Sequence, residues 1–178
     1  MNLPNKLTIL RMVLIVPFVI ILLTDCFGEP SRWIALAIFI VASLTDMLDG
    51  KIARKYNLIT NFGKIMDPLA DKILVYSAFC LMIGDGTVPA WMLIIILLRE
   101  FAVSGMRTVA AANGIVIAAG MSGKIKTVLQ MIAVPLLILR SYHPVLQTLA
   151  TVFLWASMVM TVYSGIEYIV QNKQVFKE

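Results

Sequence analysis

The sequence predicts an all-α, polytopic membrane protein with six transmembrane helices in one bundle and both termini in the cytoplasm. Of its 178 residues, 60% are hydrophobic, and the mean hydropathy is +0.91, whereas roughly 45–50% of the residues of a soluble domain are apolar. Six apolar segments are each close to the length of about 20 residues that crosses a bilayer. Because they use most of the chain, we expect one transmembrane domain over residues 1–178 and no separate soluble domain.

The six predicted spans are, in chain order, about residues 8–25, 31–53, 66–84, 89–111, 125–141 and 145–170. Turn signals rich in glycine and proline separate most neighbours, at residues 27–30, 84–86, 112–114 and 143–144. Span three is expected to begin near Asp67, with Pro68 in its first turn, where a helix tolerates proline. The small residues of 114–123 are expected to form a loop or a short interfacial helix.

The net charge of +5 is distributed as in a membrane protein and not as in a nucleic-acid-binding protein. With six spans, most lysines and arginines fall on one side of the bilayer, and the positive-inside rule makes that side cytoplasmic. These residues are Lys6, Arg11, Lys51, Arg54, Lys55, Lys64, Lys72, Arg107, Lys124, Lys126, Lys173 and Lys177. We therefore expect membrane lipids as partners and no nucleic acid.

Four aspartates lie within or beside spans two and three, where a carboxylate is costly and indicates function. Residues three and four apart share a face of a helix. One predicted stripe contains Asp46, Asp49, Gly50 and Ala53, with Arg54 adjacent, and a matching stripe contains Gly63, Asp67 and Asp71. A short connection returns the second helix antiparallel to the first, so the carboxylates can face each other.

Oxygen ligands of this kind suit hard cations such as Mg²⁺ or Mn²⁺. Two such ions commonly bridge phosphates and promote displacement at phosphorus. Gly50 and Ala53 leave the helix surface bare for a nucleotide or diphosphate, and the planar guanidinium of Arg54 suits a phosphate. In the alternative interpretation, nearby cations merely neutralise the aspartates, but this leaves the glycine spacing unexplained.

The spacing Asp-x2-Asp-Gly-x2-Ala-Arg-x8-Gly-x3-Asp-x3-Asp resembles that of the CDP-alcohol phosphatidyltransferases at all eight defined positions, from Asp46 to Asp71. The resemblance implies a six-helix enzyme of the bacterial inner membrane, usually a homodimer, with a cytoplasmic active site. In such enzymes an alcohol hydroxyl attacks the lipid-side β-phosphorus of a CDP-linked lipid, here CDP-diacylglycerol, and CMP leaves.

The resemblance also implies roles for individual residues. Asp46, Asp49 and Asp67 would bind the divalent metal ions, expected to be two, and Asp71 would share in binding and act as the general base. Residues Gly50, Ala53, Arg54 and Gly63 would shape the CDP pocket. Asn5, Thr8 and Arg11 would hydrogen-bond the cytidine or diphosphate of the donor, or else serve as a plain helix cap and interfacial anchor.

The rest of the chain resembles the members of this family that use glycerol 3-phosphate as the acceptor, over residues 2–11, 63–72, 98–107 and 123–127. A cation in mid-span, such as Arg99, should face a partner or a cavity. The cations Arg99, Arg107, Lys124 and Lys126 would suit the phosphate of this acceptor. Alternatively, Arg99 pairs with Glu100 or Glu167 and the other cations anchor the topology, although Glu100 points roughly 100° away around the helix.

Other functions are alternatives to this one. A cardiolipin synthase of the same family would use phosphatidylglycerol as the acceptor, which leaves Arg99 and Arg107 unexplained, and enzymes that use inositol phosphate or serine share the motif. Intramembrane prenyltransferases bind diphosphate through two separated aspartate clusters, whereas this chain has one. A cation transporter is expected to have sites near the midplane and inverted repeats, and no second half of this chain repeats the aspartates.

Overall fold

A computed structural model of the chain describes residues 2–55, 60–114, 117–118 and 120–173, and in these ranges all side chains except those of 3–4, 46–55, 61–62 and 64–65. The elements in this part are six helices, which confirms the predicted all-α class. They are α1 (Leu3–Thr24), α2 (Pro30–Lys55), α3 (Asn61–Gly84), α4 (Ala90–Ala112), α5 (Met121–Leu139) and α6 (Pro144–Gln171). The chain forms two compact units, Met1–Asp85 and Gly86–Glu178, and the expectation of a single domain stays a prediction.

Helix α3 begins earlier than predicted. It starts at Asn61, so Pro68 lies inside the helix and not in its first turn. The reason is a cap: the Thr60 hydroxyl accepts a hydrogen bond from the Gly63 backbone N–H at 3.0 Å, which satisfies one of the donors that a helix start leaves unpaired. Two polar turns therefore precede the apolar part of α3.

The predicted turns are confirmed. Gly28, Gly86 and Gly114 have φ values of 67°, 73° and 74°, in the left-handed region that glycine adopts without steric cost. Helix α5 begins at Met121, so the last residues of the predicted loop 114–123 belong to its first turn.

In the first unit, α1 packs against both α2 and α3. The aromatic rings of Phe18 and Phe39 lie 6.1 Å apart between centroids at the α1–α2 contact. Ala42 on α2 and Ala70 on α3 are fully buried. Small buried residues let helix backbones approach closely in membrane proteins, and here they bring polar side chains of α1 within reach of α2 and α3.

In the second unit, α6 packs against both α4 and α5. Ile96, Val134 and Leu154 are buried, one on each helix. A further cluster joins Val103 and Met106 of α4 to Tyr168 near the end of α6.

Three helical segments, Asn5–Thr24, Met121–Leu139 and Pro144–Gln171, are long and apolar enough to cross a membrane, and Pro30–Thr45 is a shorter apolar stretch. An outward stripe of large apolar residues runs along α1, comprising Val13, Val16, Ile20 and Leu23, each at least half exposed. Such a surface is unfavourable in water but suits lipid. The chain is therefore a membrane protein. Charged residues lower the apolar content of α2, α3 and α4, so the count of six spans stays a prediction.

Candidate active site

The side chain of Thr60 ties the start of α3 to the start of α1. Its hydroxyl caps α3 at Gly63 and donates a hydrogen bond to the Asn5 carboxamide oxygen at 2.7 Å. Asn5 therefore has a protein partner, and its predicted contact with the donor nucleotide stays a prediction. Sequence analysis missed Thr60, although a threonine just before a helix of this length is a recognisable N-cap signal.

Asp67 lies one turn after Gly63 on α3. The buried Thr8 hydroxyl of α1 donates a hydrogen bond to Asp67 Oδ1 at 2.5 Å. A Cβ atom on Gly63 would be 3.3 Å from Asp67 Oδ2, 3.3 Å from Thr60 Oγ1 and 3.6 Å from Asn5 Oδ1. Three oxygen atoms therefore surround the bare backbone of Gly63, and a larger residue there would crowd them.

Asp71, one turn further along α3, forms an ion pair with Arg11 of α1. Arg11 Nη1 donates to Asp71 Oδ1 at 2.9 Å, and Arg11 Nε donates to the Ala42 carbonyl oxygen of α2 at 3.2 Å. The Arg11 side chain is fully buried, whereas that of Asp71 is 24% exposed. The Arg11 guanidinium joins all three helices of the unit and orients the Asp71 carboxylate, and the predicted contact of Arg11 with the donor stays a prediction.

Two parallel contacts thus join α1 to α3. Thr8 and Arg11 are three residues apart on one face of α1, and their partners Asp67 and Asp71 are four apart on one face of α3. The predicted stripe of Asp67 and Asp71 is confirmed as a helical face. Its partner on α1 was missed, although the spacing of Thr8 and Arg11 and the cost of an arginine within a membrane segment both signalled it.

The other half of the aspartate motif lies on α2, which extends to Lys55. The side chains of Asp46, Asp49, Gly50, Ala53 and Arg54 lie outside the described residues, so their predicted orientation towards α3 stays a prediction.

The oxygen atoms of the first unit that the structure describes are of the kind that binds a hard divalent cation. Asp67 and Asp71 supply carboxylate oxygens, and Thr60 and Asn5 add neutral oxygens near Asp67 Oδ2. Oxygen-only sets of this kind suit Mg²⁺ and Mn²⁺. Among the side chains described, no three carboxylates, imidazoles or thiols come together as a metal cluster, and two of the four predicted ligands, Asp46 and Asp49, are not among them.

The second unit contains a buried charge cluster centred on Glu100, whose side chain is 7% exposed. Glu100 Oε1 accepts from Arg99 Nη1 at 2.8 Å and also from Lys126 Nζ. The alternative in which Arg99 pairs with Glu100 is confirmed, because the long arginine side chain reaches its neighbour across the roughly 100° between them. Arg99 and Lys126, two of the four predicted phosphate ligands, are thereby brought together.

The other two predicted phosphate ligands are placed differently. Arg107 Nε donates to the Tyr168 hydroxyl at 3.2 Å, and its guanidinium carbon lies 5.5 Å from the centre of the Tyr168 ring. Lys124 is exposed at the start of α5. Glu167, the alternative partner considered for Arg99, accepts a hydrogen bond from Ser122 instead.

Two buried donors of this unit have no hydrogen-bond partner among the described residues: Arg99 Nε and the amide nitrogen of Gln130. Gln130 lies one turn after Lys126 on the same face of α5. Buried polar atoms are nearly always paired, so these two indicate a polar region suited to a ligand. Sequence analysis did not single out Gln130, although Ser122, Lys126 and Gln130 recur at helical spacing in an apolar helix.

The sequence is similar to those of known proteins along almost its whole length. The sequence model of the CDP-alcohol phosphatidyltransferase family matches residues 1–163. The chain is 46% identical to the CDP-diacylglycerol–glycerol-3-phosphate 3-phosphatidyltransferase of Bacillus subtilis, over 99% of this chain and 97% of that protein. Proteins of the same name from Rickettsia typhi and Haemophilus influenzae are 39% and 37% identical, over 98% and 94% of this chain and 99% and 91% of theirs.

The chain belongs to the CDP-alcohol phosphatidyltransferase family. The resemblance inferred from the aspartate motif is confirmed at this level.

Proposed function

We propose that this protein transfers the phosphatidyl group of CDP-diacylglycerol to sn-glycerol 3-phosphate, which gives phosphatidylglycerophosphate and CMP. The observation that carries the proposal is full-length similarity to relatives whose names state this donor and acceptor. The cation pair of partly buried Arg99 and buried Lys126 supports it, because the terminal phosphate of glycerol 3-phosphate carries up to two negative charges and suits two cations, whereas the phosphodiester of phosphatidylglycerol carries one.

The donor site is assigned to the first unit. Asp46, Asp49 and Asp67 would hold divalent cations, Mg²⁺ or Mn²⁺ and two in number, with Asp71 sharing in their binding. Bound there, such ions would neutralise charge on the diphosphate and on the departing CMP. The CDP moiety would lie against the small residues Gly50, Ala53 and Gly63 and beside Arg54. Asn5 and Thr8 would line the same pocket.

Asp71 is the proposed general base. A carboxylate within hydrogen-bond reach of the acceptor hydroxyl takes its proton as the oxygen attacks the β-phosphorus. The bond from this phosphorus to the oxygen of CMP breaks, and CMP leaves as an anion. Arg11 holds one oxygen of Asp71 at 2.9 Å, which fixes the direction of the carboxylate.

The acceptor site is assigned to the second unit, with Arg99, Arg107, Lys124 and Lys126 as phosphate ligands. Arginine binds phosphate through two parallel N–H groups, and lysine acts as a point charge. Arg99 and Lys126 have the strongest support because both belong to the cluster around Glu100. Arg107 would have to exchange or share its contact with Tyr168.

We also propose a homodimer of six-span subunits in the bacterial inner membrane, with both termini and the active site at the cytoplasmic face, and a single catalytic domain over residues 1–178. The distribution of lysine and arginine supports this topology, and the family resemblance supports the dimer.

The proposal is tested by the release of CMP from CDP-diacylglycerol by the purified protein, with glycerol 3-phosphate, phosphatidylglycerol, inositol 1-phosphate or serine in parallel. We expect release with glycerol 3-phosphate only, its loss on chelation of divalent ions with EDTA, and its return on addition of Mg²⁺ or Mn²⁺. Release with phosphatidylglycerol alone would favour a cardiolipin synthase, and full activity in EDTA would contradict the metal assignment.

Replacement of Gly63 by alanine is expected to raise the KM for CDP-diacylglycerol about tenfold. The new Cβ would lie 3.3 Å from two oxygen atoms and force them to move by a few tenths of an ångström. A misplacement of about 1 Å lowers the reaction rate by ~10²-fold, so a smaller shift should have a smaller effect. Gly84→Ala in the same helix is the matched control, because a Cβ there meets nothing within 4 Å. Equal KM values for the two variants would show that the Gly63 surface is not part of the donor site.

A further inference from the structure

The side chain of Arg99 lies against two glycines, one on each neighbouring helix of the second unit. A Cβ atom on Gly165 of α6 would be 3.0 Å from Arg99 Cγ and 3.9 Å from Arg99 Cβ. A Cβ atom on Gly123 of α5 would be 3.1 Å from Arg99 Nη2. The stem of Arg99 therefore packs on the backbone of α6, and its guanidinium packs on the backbone of α5.

Glu100 binds the same guanidinium at Nη1. One oxygen, Glu100 Oε1, receives both Arg99 Nη1 at 2.8 Å and Lys126 Nζ. Two neighbouring cations with little exposure to water repel each other, and a shared carboxylate oxygen offsets that repulsion while it sets their separation. The cluster of Arg99, Glu100 and Lys126 keeps a net charge of +1 inside the unit.

This arrangement restricts Arg99 to a single orientation. The guanidinium has five N–H donors; Glu100 takes one at Nη1, and Nε is buried without a partner among the described residues. A planar group with its stem and head both fixed is suited to bidentate recognition of a phosphate, because little rotamer entropy is lost on binding.

We infer that Glu100, Gly123 and Gly165 are positioning residues that set Arg99 and Lys126 in the geometry that binds the phosphate of the acceptor. Glu100 fixes the two cations relative to each other. The two glycines leave space for the Arg99 side chain that the Cβ atom of any larger residue would occupy. The inference rests on the proposed acceptor site and extends it to three residues that need not touch the substrate.

The test measures the KM for glycerol 3-phosphate and for CDP-diacylglycerol in Gly165→Ala, with Gly105→Ala of α4 as the matched control. A Cβ at Gly105 meets nothing within 4 Å, and alanine favours a helix at either position, so weakening of a helix does not explain a loss. We expect Gly165→Ala to raise the KM for glycerol 3-phosphate on the order of tenfold and that for CDP-diacylglycerol less than about twofold. Gly105→Ala should change neither.

A double-mutant cycle shows whether Gly165 acts through Arg99. Arg99→Ala alone should raise the KM for glycerol 3-phosphate, and the double variant Gly165→Ala with Arg99→Ala should raise it no further, because the close contact at Arg99 Cγ is then absent. Additive effects, or a Gly165→Ala variant that behaves like the Gly105→Ala control, would overturn the inference. If Gly165→Ala does not fold, Gly123→Ala makes the same test at the flexible end of the side chain.

Glu100→Gln separates positioning from simple charge. A positioning role predicts a higher KM for glycerol 3-phosphate, whereas a carboxylate that merely repels the substrate predicts a lower one, and a lower KM would overturn the inference. The wild-type protein tests the proposed function by itself: with no release from glycerol 3-phosphate, function and inference both fail. With normal wild-type release and unaffected variants, the inference alone fails.

Discussion

Replacement of Asp71 by asparagine is expected to lower the turnover for CMP release by about 10³-fold or more while the protein stays folded. Asparagine keeps an oxygen that accepts the hydrogen bond from Arg11 Nη1, which is 2.9 Å from Asp71 Oδ1, so the contact between α1 and α3 survives. It cannot take a proton from the acceptor hydroxyl, and a positioned general base alone contributes roughly 10²–10⁴-fold. The loss of a metal-binding charge adds to this.

The turnover is measured by CMP release at saturating donor and acceptor, beside the thermal unfolding of each variant in the same detergent. Asp25→Asn is the control: Asp25 is exposed at the end of α1 with a φ of 47°, a conformation that asparagine also tolerates. Asp71→Asn with more than about a tenth of wild-type turnover would rule out Asp71 as the base.

Replacement of Arg11 by leucine is expected to destabilise the protein by about 3 kcal/mol. Removal of one partner from a buried ion pair costs roughly 3–5 kcal/mol because the other charge is left uncompensated, and the 24% exposure of Asp71 places the effect at the lower end. The Ala42 carbonyl oxygen also loses its hydrogen bond from Arg11 Nε. The measurement is the free energy of unfolding in mixed micelles by denaturant titration.

The double variant Arg11→Leu with Asp71→Leu distinguishes an uncompensated charge from a loss of packing. Apolar replacement of both members of a buried pair is often neutral, so the double variant should recover most of the lost stability and still release no CMP. A double variant no more stable than Arg11→Leu would mean that the pair stabilises the protein through side-chain packing and not through charge neutralisation.

The sequence predicts contacts along one helix better than contacts between helices. Asp67 and Asp71 are four residues apart, so their common face followed from helical geometry alone. Their partners Thr8 and Arg11 are 59 and 60 residues away, and the relative register of α1 and α3 depends on how small residues such as Ala70 pack. The spacing signalled that each helix had a polar face, but not which two faces meet.

The cluster around Glu100 shows a different limit. The angle of 100° between neighbouring helix positions describes where the Cβ atoms of Arg99 and Glu100 point, and it argued against a pair. A side chain as long as arginine can bend across that angle, and it also lies against the backbone at Gly123 and Gly165. The proximity of these glycines to Arg99 is a property of the folded unit that no local pattern contains.

The contacts between α1 and α3 also affect how the chain is made. Helix α1 leaves the ribosome first, and Arg11 must wait for Asp71 while 60 more residues are synthesised, which takes roughly 3–12 s at 5–20 residues per second. During that interval the Asp71 carboxylate is not yet available to Arg11, whose position in the third turn lets it reach towards the lipid head groups. We therefore expect α1 to reach its final depth in the bilayer only after α3 has been inserted.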